Sequence, residues 1–195
     1  MLSLFILVSI ISFSGSLHPG PVNVAVAQTT LSQSRSAGLS LALGGSLPEF
    51  AYGGLAAGGL MLLPKDADLV VWLAYAPIPV LLGAGIAALY QKPVVLNQAL
   101  TAHTKLPFWK GLALGSTNPQ LLPFWSAVWL YLSANMLIPE HSASQWIFAL
   151  GTSAGAFGLL VGVVWLADRQ RIGMYLKGSW LNRLTGGLFI GMALW

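Results

Sequence analysis

Cysteine is missing from all 195 residues, which removes disulfides, thiolate metal sites and thiol relays from consideration. Charge is nearly as scarce: Asp, Glu, Lys and Arg make up 7% of the chain, against about 25% in soluble domains. A surface so poor in charge cannot face water on every side. No HExxH, GxSxG or Walker A segment occurs, so hydrolytic and ATP-driven chemistry lack their usual parts and an enzyme is not expected. His18, His103 and His141 stand far apart without clustered acids, which leaves a metal site unsupported. No other cofactor is indicated. Basic patches interleaved with aromatics are absent as well, so nucleic acid is not an expected partner.

Apolar residues fill the gap, at 56% of the chain. A bilayer core about 30 Å thick needs roughly 20 apolar residues per helix, which leaves room for about six spans. Apolar stretches fall at Leu2–Leu17, Ala37–Leu63, Leu69–Tyr90, Gly111–Leu132, Trp146–Leu166 and Trp180–Trp195. The expectation is an all-α membrane protein, one transmembrane domain over residues 1–195, in contact with lipid. Met1–Ser16 has no preceding Lys or Arg and no A-x-A site after it, so a retained helix is expected rather than a signal peptide. Asn23–Ser36 is intermediate in polarity, suited to lining a cavity or lying at the interface. Tryptophans near span ends (Trp72, Trp109, Trp146, Trp165, Trp180, Trp195) suit the headgroup layer.

Cations set the orientation. Arg35, then Lys92, Lys105 and Lys110, then Arg169, Arg171, Lys177 and Arg183 collect around the odd-numbered loops, with Lys65 as the exception. The positive-inside rule puts those loops in the cytoplasm and both termini outside.

Divided into halves of about 1–90 and 106–195, the chain shows a weak symmetry. The first helix of each half meets a proline-interrupted polar motif: His18-Pro19-Gly20-Pro21-Val22-Asn23, then Thr117-Asn118-Pro119-Gln120. The second helix of each half is glycine-spaced, with Gly54 and Gly58, then Gly151, Gly155, Gly158 and Gly162. Three helices per half predict two inverted repeats with broken helices near the centre. Such breaks free backbone groups and aim helix-end partial charges at a solute. The glycines let helices approach closely.

Glu49 is the acid inside a predicted span; Asp66, Asp68, Glu140 and Asp168 lie at borders. An ionised acid at mid-membrane costs on the order of 3 kcal/mol, so it should face a cavity or a partner. A proton-coupling or amine-binding carboxylate is the functional reading, and a structural acid bonded to a neighbouring helix is its rival. Pro48 just before it is expected to kink the helix. His18 can relay protons or bind an anion, or serve as an interfacial histidine. Asn23 and Asn118 can both donate to and accept from a zwitterion, and an N-cap is the competing role for Asn118.

Pro19-Gly20-Pro21-Val22-Asn23, followed by Ser34-Arg35-Ser36-Ala37-Gly38-Leu39 and Gly44, resembles the signature of the lysine exporter and homoserine/threonine exporter family, the LysE-type translocators. Phe108-Trp109-Lys110-Gly111 through Asn118-Pro119-Gln120 and Phe124 is similar to that family's middle run, and Ala167-Asp168-Arg169 through Arg183-Leu184-Thr185-Gly186 to its finish. The chain departs from the pattern at Pro48-Glu49, where glycine and aspartate are usual, and at Gln120, where lysine is usual. The resemblance implies a six-helix exporter of amino acids or related small polar metabolites, driven by protons, in the bacterial cytoplasmic membrane. An ion or divalent-cation exporter and a non-transporting membrane scaffold subunit remain as alternatives, and a homo-oligomer is left open.

Overall fold

A computed structural model describes residues 1–17, 20–61, 77–90, 105–118, 120–169, 183, 186, 187, 190 and 191. His18, Pro19, Pro119 and most of the expected last span lie outside the described residues. The described residues form helices α1 (Leu2–Gly15), α2 (Pro21–Ser32), α3 (Arg35–Met61), α4 (Pro77–Tyr90), α5 (Pro107–Ser116), α6 (Leu121–Ala134) and α7 (Ser144–Asp168), with no strand among them.

α1 shows why a lipid environment fits. Leu4, Val8, Ser12 and Gly15 form one buried stripe at helical spacing, yet Leu2, Ile6, Ile10 and Phe13 are exposed on the opposite face. A helix apolar all round buries one face in protein and needs an apolar solvent for the other. The 25-residue α7 is long and apolar enough to cross a bilayer unbroken. By contrast α1, α2, α5 and α6, with 14, 12, 10 and 14 residues, reach about 15–21 Å each at 1.5 Å per residue. Each is shorter than the hydrocarbon core.

The intermediate segment turns out to be a helix. α2 follows Gly20, an extended N-cap, and opens with Pro21 in its first turn, where a missing N–H costs nothing. It buries Asn23, Ala25, Val26, Ala27, Thr29 and Thr30, and the Thr30 hydroxyl donates to the Val26 carbonyl at 2.8 Å. Polar side chains that bond their own helix can be buried at little cost. The Ser34 hydroxyl accepts the Ala37 N–H at 3.1 Å and so starts α3.

α3 is the axle of the bundle, packing along α5 and α7 and also against α2 and α6; α1 lies along α7, and α4 along α6. Two buried clusters result. One joins Val26, Leu41, Leu160 and Val164; the other joins Leu4, Val8, Trp125, Val128 and Phe148.

Backbones meet where glycines permit it. A Cβ on Gly44 would overlap the Phe108 carbonyl, and one on Gly111 the Leu41 carbonyl, so α3 and α5 touch main chain to main chain. α1 and α7 do the same: a Cβ on Gly155 would overlap the Ser9 carbonyl, and one on Gly151 would lie 2.9 Å from Val8 Cβ.

Candidate functional site

Glu49 sits near the middle of α3, half-buried, on the wall of a cavity of about 570 Å3. The cavity takes lining from α1 to α7 and from both chain breaks, including Ser16 and Asn23 at the first and Thr117, Asn118 and Gln120 at the second. Among the described residues that line it, Glu49 alone carries a formal charge.

The carboxylate is held from α6. Trp125 donates its indole N–H to Glu49 Oε2. The indole itself is 1% exposed and is packed edge-on by Phe124 at 4.9 Å and Phe148 at 5.7 Å. Such packing leaves the ring little freedom to turn its donor elsewhere. The Glu49 main chain is held from α7: Thr152 Oγ1 lies 2.8 Å from the Glu49 carbonyl and 2.7 Å from the Ala149 carbonyl. One hydroxyl proton serves one of these at a time. Ser12 on α1 donates to the Thr152 carbonyl at 2.6 Å, and Ser153 donates to the Ser46 carbonyl at 3.1 Å. Hydrogen bonds thus tie α1, α3, α6 and α7 together at the depth of the acid.

α3 continues as one helix through Pro48. The proline has no N–H for the Gly44 carbonyl, and its ring packs on α5: a Cβ on Gly115 would lie 2.8 Å from Pro48 Cγ and 2.7 Å from the Gly45 carbonyl.

Both interruptions expected from the sequence separate helices. α1 ends at Gly15 and α2 begins at Pro21; α5 ends at Ser116 and α6 begins at Leu121. Helix ends leave carbonyls and N–H groups without intrahelical partners, and side chains satisfy several of them. The Asn23 amide donates to the Ser16 carbonyl at 2.9 Å. The Tyr52 hydroxyl donates to the Ser116 carbonyl at 2.9 Å. Asn118 Oδ1 accepts the Gln120 N–H at 3.1 Å, an Asx-type turn just before α6.

Gly20, Pro21, Asn23, Asn118 and Glu49 therefore come together around one cavity. The glycines divide. Gly151 and Gly155 seat α1, whereas a Cβ on Gly54, Gly58 or Gly158 would make ordinary contacts at 3.7–3.9 Å and one on Gly162 would meet nothing within 4 Å. Sequence reasoning passed over Trp125, Tyr52, Thr152 and Gly115, and named Gly44 and Gly111 for the family resemblance without reading them as packing positions. A usable signal existed for the first: Trp125 lies deeper inside an expected span than any other tryptophan of the chain.

A helical bundle with one acid among the described residues of its cavity wall, and two helix breaks beside it, has the form of a membrane-embedded translocator. The LysE type translocator family model matches residues 13–195, nearly the whole chain, and the chain belongs to that family. Members are transporters rather than enzymes, and the family points to amino acids or related solutes as exported cargo. No curated protein and no solved structure matches the chain.

Proposed function

We propose that the protein is a proton-coupled secondary exporter of amino acids or related small polar metabolites across the bacterial cytoplasmic membrane. The observation that carries this reading is the shared cavity, which joins Glu49 to both helix breaks. Its size, about 570 Å3, falls within the roughly 300–1,000 Å3 of small-molecule sites.

The charge pattern suits a zwitterion. The ends of α1 and α5 turn partial negative charge toward the cavity and the starts of α2 and α6 partial positive charge. With Glu49 they offer an ammonium group one corner and a carboxylate another. Protons and solute then exchange at Glu49 as access alternates. One charge crossing about 100 mV yields about 2.3 kcal/mol, sufficient for a roughly 50-fold gradient of a neutral solute. The same reading treats residues 1–90 and 106–195 as inverted repeats, spanning the membrane several times with both termini outside.

Reconstitution tests this. Proteoliposomes preloaded with a panel of amino acids, with and without a pH gradient, should show gradient-driven efflux of at least one. Glu49→Gln should abolish the gradient-driven part while the purified variant stays folded. Wild-type rates in that variant would remove Glu49 from the mechanism, and protection against divalent cations without amino-acid efflux would replace the cargo.

A further inference from the structure

Trp125 lies in the second turn of α6, immediately beyond the break at Thr117–Gln120, and its indole reaches across to Glu49 on α3. An indole N–H can donate but never accept. It therefore pairs well with a carboxylate and poorly with a protonated acid, because hydrogen bonds to ionised acceptors are roughly twice as strong as neutral ones. The ring is clamped by Phe124 and Phe148, and Phe148 is clamped in turn by Trp129 at 5.0 Å. A change in the bond therefore cannot be absorbed by a free swing of the indole. It bears on the start of α6.

We propose that Trp125 is a positioning residue that reports the protonation of Glu49 to the second helix break. With Glu49 ionised, the indole bond anchors the start of α6 to α3 and fixes Oε2, leaving the rest of the carboxylate for cargo. With Glu49 protonated, the anchor weakens and α6 is released from α3 next to the break. This rests on the proposed exchange of protons and cargo at Glu49, and gives it a way to change the shape of the cavity.

No other described group competes for the role. Charged or titratable side chains on the elements around Glu49 are Arg35 and Tyr52 on α3, Tyr90 on α4, Lys110 on α5, Tyr131 on α6 and Asp168 on α7; none of these lines the cavity.

Indole 15N–1H spectra of tryptophan-labelled protein in lipid nanodiscs test the link without any transport. The Trp125 cross-peak, assigned by its loss in Trp125→Phe, should shift with pH along a single sigmoid. In Glu49→Gln that shift should vanish. A peak that stays put in the wild type, or that still titrates in Glu49→Gln, overturns the proposal. A second measurement uses Trp125→Phe in proteoliposomes. Loss of one hydrogen bond to a charged group should lower pH-driven accumulation about tenfold more than downhill flux. Equal loss of both would leave Trp125 as packing only and overturn the role. Should the wild type show no pH-driven transport, the proposed function fails, and the spectra still decide whether Trp125 follows Glu49.

Discussion

At the first break the Ser16 carbonyl is capped by Asn23, from the helix that follows directly in the chain. At the second, the Ser116 carbonyl is capped by Tyr52, from α3. The cap on the first interruption thus comes from α2, and that on the second comes from the helix that carries Glu49. Space differs too. A Cβ on Gly20 would meet nothing within 4 Å, whereas one on Gly115, just before the second break, would press on α3. Similar motifs in the two halves are therefore tied differently: the second is joined through Tyr52 and Gly115 to the helix that carries Glu49.

The largest expected effect breaks the comparison outright. Gly115→Leu should cost about 3 kcal/mol or more, since backbone rather than a flexible side chain stands in the way, and the variant should be lost as a monodisperse species in size-exclusion chromatography. Gly20→Ala, its counterpart at the first break, should stay within about 1 kcal/mol of wild type. Next comes Asn23→Ala, which deletes a buried cap and should destabilise by about 2 kcal/mol, seen as a fall of roughly 4–8 °C in thermal midpoint. The smallest is Tyr52→Phe, about 1 kcal/mol. Its value lies in the double variant. Tyr52→Phe and Glu49→Gln should be non-additive in transport by more than about 0.5 kcal/mol, while Asn23→Ala and Glu49→Gln should add. Additivity in both pairs would erase the distinction between the breaks.

Much of this site was readable from residues alone. A carboxylate within an apolar run and two Pro/Asn interruptions are conspicuous because each is costly in hydrocarbon, and the structure sets them around one cavity. α2 was harder to read. Gln28, Thr29, Thr30 and Ser32 dilute its hydropathy, yet the threonines are buried, and Thr30 bonds its own helix. Glycine spacing is informative only in part: Gly151 and Gly155 do seat another helix. Gly54 and Gly58 are four apart, as are Gly111 and Gly115, but only the second pair lies where another backbone arrives. Spacing states which side of a helix is smooth, and says nothing of what comes to lie there. Trp125 was hidden by its company: within Leu121–Ala134 an aromatic reads as core, and its donor matters only once α3 is known to present an acid to it.

The glycine seams also laminate four of the described helices into two planks, α3 with α5 and α1 with α7, each glued main chain to main chain. Shear within a plank would drive carbonyls into carbons, and the two planks meet where α3 packs on α7. At that joint stands Thr152, whose single proton has two carbonyls in reach, one on each side. A hydroxyl so placed can surrender one partner and take the other without ever going unsatisfied, which is the property of a latch.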